Sequence, residues 1–150
     1  MNRTLALLLA VVAAGIAATG GFAGSTERSG ALHVTKNCGR YDFSAGSFCT
    51  ITSSNITAIK RGMKVVYASA ADLTAGVLDS DLVIDGPGRN AAFGHVVLDL
   101  QTLTGVVTLS GGTGRFAHFQ AGPLAVACPA FPECSWDGPY RFARFPFRSQ

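Results

Sequence analysis

From about residue 31 onward the chain repeats one local pattern, and that pattern limits its fold more than any other feature. Short runs rich in Val, Ile, Leu, Phe and Thr each end at Gly, Pro, Asn or Asp. No stretch of this region keeps a convincing helical period, so the runs read as β-strands. They fall at residues 31–36, 47–55, 63–69, 77–85, 91–100, 106–110, 116–127 and 136–145. The breaks Arg61-Gly62, Gly86-Pro87-Gly88, Thr104-Gly105 and Gly111-Gly112-Thr113-Gly114 have a backbone cause, since Gly reaches positive φ and Pro fixes φ. Residues 57–59 suit a helical turn and residues 72–75 a short helix. About eight strands at near-regular spacing predict an all-β domain, either a sandwich or an up-and-down barrel. In the run 91–100 both parities are apolar, Phe93 and Val97 on one and Val96, Leu98 and Leu100 on the other. A barrel strand with a dry outer face predicts a cover there, such as a second subunit.

The N-terminus carries the three zones of a secretory signal: Arg3, an apolar run from Leu5 to Ala18, and a small-residue tail with Gly21-Phe22-Ala23. The apolar run is shorter than the roughly 20 residues of a spanning helix and fades into Ala and Gly, so a cleaved leader over residues 1–24 is expected rather than a stable membrane anchor. Residues 25–150 then form one domain, secreted to the extracellular side. The whole chain carries a formal charge of +3, with its Lys and Arg scattered, which argues against a nucleic-acid partner. Arg141, Arg144 and Arg148 alternate with Phe142, Phe145 and Phe147 near the C-terminus. That pattern reads as a last strand with a wet face ahead of an anion site.

Four cysteines agree with export to an oxidising compartment. Cys38 lies close to Cys49 in sequence, and Cys128 close to Cys134, with turn-like segments between them, so two local disulfides are expected. Neither pair has C-x-x-C spacing or a neighbouring His, which argues against zinc; no metal and no cofactor are expected.

The turn Gly111-Gly112-Thr113-Gly114-Arg115-Phe116-Ala117 after a strand resembles a motif of dirigent proteins and allene oxide cyclases, as do Lys64-Val65-Val66-Tyr67-Ala68, Leu78-Asp79-Ser80-Asp81, Asp85-Gly86-Pro87-Gly88, Ala92-Phe93-Gly94-His95, Leu98-Asp99-Leu100 and Trp136-Asp137-Gly138. Over roughly residues 45–145 the chain is similar to the exported allene oxide cyclase barrel-like domains. The resemblance implies an eight-stranded antiparallel barrel, often trimeric, with a cavity for a hydrophobic ligand. The plant relatives' acidic catalytic positions have no clear counterpart: the only glutamates are Glu27 and Glu133.

Gly112-x-Gly114-x-x-Ala117 also imitates a dinucleotide-binding fingerprint, but no helix follows it, and a tight β turn is expected instead. Of the three histidines, His33, His95 and His118, the second is the most informative. If Asp85 pairs with Ala91 across the break, Asp81 falls opposite His95 on one face, where a carboxylate would hold the imidazole's tautomer and raise its pKa. His95 and Asp81 are therefore the candidate catalytic pair, against the plainer alternative of a structural ion pair. Asp79, Asp81 and Asp85 share one parity opposite Leu78, Leu82 and Ile84, which predicts a solvated acidic face. Asn55-Ile56-Thr57 is a glycosylation sequon, relevant only if exposed in a glycosylating host. Met63, Val65 and Tyr67 are the expected cavity lining, with Lys64 facing water.

Three functions follow. The first is a secreted barrel binding a small hydrophobic molecule in its lumen. The second is a cyclase-like or dirigent-like enzyme using that lumen. The third is a structural or surface-interaction protein with a packed core. A lumen of about 300 Å³ or more would separate the first two from the third.

Overall fold

The computed structural model describes residues 28–143. The leader expected at 1–24, together with Arg144, Phe145, Phe147 and Arg148, lies outside the described residues. Eight antiparallel strands close into a barrel in sequence order: β1 (Arg28–Asn37), β2 (Phe48–Ser54), β3 (Lys64–Tyr67), β4 (Val77–Asp85), β5 (Ala91–Asp99), β6 (Thr104–Gly112), β7 (Phe119–Ala130) and β8 (Glu133–Phe142). The long β1–β8 ladder, running from Arg28↔Phe142 to Asn37↔Glu133, makes the closure that a sandwich would lack. Closure leaves no open sheet edge to template pairing with another chain.

Each expected strand is present, the one at 77–85 with its expected bounds and the others with shifted ends. The run expected from residue 116 starts only at Phe119, because Gly114–Phe116 forms a single 3-10 turn. The last strand begins at Glu133, ahead of the expected Trp136, since Cys134 is tied to Cys128 across the tight β7–β8 turn. The helix expected at 72–75 is not formed. Asp72 and Val77 instead exchange backbone hydrogen bonds, and Asp72 Oδ1 accepts from the amides of Thr74 and Ala75. Four residues ending at a positive-φ Gly76 cannot repay helix nucleation, whereas the Asp side chain satisfies a turn at once.

Alternation decides what faces inward. In β4, Leu78, Leu82 and Ile84 are buried while Asp79, Asp81 and Asp85 are exposed, as their parity implies. Gly94 interrupts β5 for a steric reason. A Cβ there would sit 2.5 Å from the Thr108 carbonyl oxygen and 2.6 Å from Leu109 Cδ2, so the neighbouring strand passes only over a residue without a side chain. Outside, Phe93, Val97 and Val106 are exposed on the wall of β5 and β6, with Val97 opposite Val106.

The two barrel ends differ. The end that carries the β2–β3, β4–β5 and β6–β7 connections is stoppered by Ile59, Met63, Phe116 and Phe119, all buried, with the Phe116 and Phe119 rings edge to face at 5.6 Å. The Gly-rich turn holds this stopper in place. Thr113 Oγ1 donates to the Arg89 carbonyl, and Asn90 Oδ1 accepts from the Arg115 amide. The turn thus clips the β6–β7 connection to the β4–β5 turn; no helix follows it that could cradle a pyrophosphate. At the other end the β1–β2, β3–β4, β5–β6 and β7–β8 connections surround an open mouth.

Candidate functional site

Behind that mouth lies a cavity of about 430 Å³, lined by residues of all four connections and by inward side chains of the strands below them. Tyr41 and Phe43 come from the β1–β2 loop, Leu73 and Thr74 from the β3–β4 loop, Leu100 and Leu103 from the β5–β6 turn, and Phe131 from the β7–β8 turn. Leu73 is 68% exposed and Phe131 48%, so the rim is open to solvent and apolar. Both disulfides, Cys38–Cys49 and Cys128–Cys134, stand in the wall, paired as the sequence spacing suggests. Phe43 and Leu103 hold φ of +67° and +54°. Bulky residues avoid that region, and such strain concentrates around functional clefts.

Apart from Thr74 and Gln101 at the rim, the polar side-chain atoms of the cavity form one group. Lys36 shares the inward parity of β1 with Leu32 and Val34 and is 4% exposed. A register shift in the β1–β2 ladder between Thr35 and Lys36 bends the sheet beside it. Lys36 Nζ donates to Tyr67 Oη at 2.6 Å and lies 4.9 Å from the Trp136 ring centroid and 5.3 Å from that of Tyr67. Its second hydrogen-bond partner is Cys49 Sγ, at 3.8 Å. Among the described residues no carboxylate is within ion-pair distance of it. Burial alone therefore acts on the ammonium and lowers its pKa from 10.5 to about 7. Burial, followed by the adjacent Tyr41, pushes the Tyr67 phenol well up. Burial and the Asp42 charge push Tyr41 up as well. Tyr41 packs edge to face on Tyr67 at 5.1 Å, and its buried Oη has no hydrogen-bond partner among the described residues. The arrangement is a desolvated amine, half neutral near pH 7, with two protonated phenols in the same apolar chamber.

Of the three expected lining residues, only Tyr67 reaches the cavity. Met63 and Val65 are buried in the packed part of the barrel. The reason is the direction of β3, which runs from the stoppered end toward the open one and delivers only its last residue to the mouth. Lys64 faces water, over the Phe48 ring.

The register that brings Asp81 opposite His95 is present, and the two contact each other, Asp81 Oδ1 to His95 Nδ1 at 2.9 Å. Asp79 Oδ1 meets the other ring nitrogen at 2.9 Å. The hydrogen bond to Asp81, helped by the Asp79 charge, raises the imidazole pKa. This trio stands on the outer wall, however, in the parity of Phe93 and Val97, and does not enter the lumen. His33 contacts Asp137 on the outside in the same manner. Arg141 is exposed and donates to Gln120 Oε1. Lys36 and Tyr41 were missed in the sequence. The legible signal was a lysine in phase with Leu32 and Val34, a charged residue on the parity that the apolar side chains mark as inward.

Comparison of the chain with models of protein families, with curated proteins and with solved structures finds no match.

Proposed function

We propose that the protein is a secreted β-barrel that binds a small hydrophobic molecule through the open end of its lumen. The observation that carries this reading is the chamber of about 430 Å³, mostly apolar in its walls and rim, with a few polar atoms at its inner end. That volume lies within the usual range of small-molecule sites, and the mixture of apolar lining with few polar groups is typical of them. The two disulfides suit a chain that works in an oxidising compartment. The packed stoppered half agrees with a structural barrel, but a purely structural protein has no use for a chamber at the other end.

The alternative is an allene oxide cyclase-like or dirigent-like enzyme. The closed eight-stranded antiparallel barrel favours it. The polar groups in the lumen are an amine and two phenols in place of carboxylates, so any catalysis would differ from the acid–base chemistry expected of His95 and Asp81.

Displacement of the neutral fluorophore Nile red by apolar compounds tests the binding reading. We expect saturable, one-to-one binding to the native chain. Leu98→Trp, which fills the chamber from β5, should weaken it by about tenfold or more while the circular dichroism stays that of a barrel. Undiminished binding by a folded Leu98→Trp protein would move the site elsewhere.

A further inference from the structure

We propose that Lys36 captures carbonyl compounds: an apolar aldehyde or ketone entering the open end of the barrel condenses with its Nζ to form an imine. The inference rests on the binding reading above and names the ligand class and the reacting atom. Three observations support it. The amine is buried at the inner end of an apolar chamber that opens to solvent, so a carbonyl chain can bury its tail and present its head to Nζ. Among the described residues no carboxylate pairs with it, so no negative charge in the wall holds it as an ammonium against its burial. A hydroxyl, Tyr67 Oη, stands 2.6 Å away. Desolvated lysines of this kind supply the neutral amine that Schiff-base chemistry needs.

The step balances without a further reactant. The Nζ lone pair forms a bond to the carbonyl carbon as the C=O π pair moves to oxygen. A proton passes from nitrogen to that oxygen, giving a carbinolamine. Loss of the hydroxyl group with a second proton releases one water and leaves the C=N bond. Tyr67 Oη can relay the proton in both transfers, taking one from nitrogen as it gives its own to oxygen, and its raised pKa keeps it a neutral hydroxyl before and after each relay. A carboxylate ligand anchored by the ammonium is the rival use of the same amine, and it would need the charged form that burial disfavours.

The test uses the native chain, octanal and cyanoborohydride, which reduces an imine to a stable secondary amine heavier than the protein by the aldehyde less one oxygen. The sequence holds three lysines, and Lys60 and Lys64 serve as exposed internal references. We expect the adduct to form at Lys36 faster than at either reference by about tenfold or more. The preference should vanish in guanidinium and fall several-fold in rate in Tyr67→Phe. Adducts spread evenly over the three lysines of the native chain would overturn the proposal. Nile red displacement, measured in parallel, separates the two readings. Octanal that displaces the probe but leaves Lys36 unmodified sinks the imine and spares binding. Octanoate displacement that depends on Lys36, again with no aldehyde adduct, makes the lysine an anion anchor and also overturns the imine. Failure of every apolar compound to displace the probe removes the binding reading and the imine with it.

Discussion

Lys36 is the residue whose surroundings matter most. Its folded pKa, about 7, lies below the 10.5 of the solvated side chain. Between those values the unfolded chain holds more protons than the folded one, so stability rises with pH across that window. The slope from this one group approaches about 1.4 kcal/mol per pH unit. Tyr41 and Tyr67 are the other titratable groups lining the chamber, and both stay protonated there because their pKa values are raised. In the unfolded chain those phenols ionise near pH 10 and reverse the trend there. Denaturant melts of the wild type at pH 7 to 9 should show the rise, and Lys36→Met should flatten it; parallel curves would mean that the ammonium is hydrated in the folded state. His95 has the opposite sign. Its folded pKa is raised by Asp81 and Asp79, so the contacts favour the folded state while the ring is protonated and lose that effect as pH climbs past the folded value. His95 is half exposed and the two carboxylates more so, so the gain is small and salt-sensitive. Its signature is the ring titration itself: by NMR the His95 midpoint should lie above 6.5 and fall in Asp81→Asn.

At the scale of elements, the β1–β2 loop decides whether the chamber has a mouth. It carries Tyr41 and Phe43, and the Cys38–Cys49 bridge ties its first residue to β2. That bridge spans 11 residues of sequence and Cys128–Cys134 spans 6, so the first removes more freedom from the unfolded chain. Replacing Cys38 and Cys49 by Ser should cost about 2–3 kcal/mol in denaturant melts and weaken Nile red binding as well. The double replacement at Cys128 and Cys134 should cost less, because it closes a smaller loop; the reverse order would show that the chain-entropy account does not govern here. The strands themselves were legible because period-2 apolar patterns and Gly or Pro breaks act locally. Their ends were not. Phe116, expected to open a strand, instead closes a turn, because Thr113 and Arg115 bond to Arg89 and Asn90, partners more than 20 residues away.

For the molecule as a whole, the outer wall poses the remaining question. Phe93, Val97 and Val106 are exposed together on β5 and β6, and the apolar parity of β5 led to the expectation of a covering subunit, a trimer by family resemblance. Sedimentation velocity tests that expectation: an oligomer that dissociates in Val97→Lys would place the interface on this wall, and a wild-type monomer would leave the wall bare. The sequence by itself determined the all-β class, the eight runs, the two local disulfides and the opposition of Asp81 to His95, because each follows from neighbours in sequence or from one hairpin's register. Only the tertiary structure decided that β8 returns to β1, that one end of the barrel is stoppered by Phe116 and Phe119, and that Lys36, Tyr41 and Tyr67 share a chamber at the other. Parity states which residues point the same way along a strand. Which of the two faces becomes the inside, and how deep a side chain then lies, is set when the sheet closes and the connections at each end either fill the lumen or leave it open.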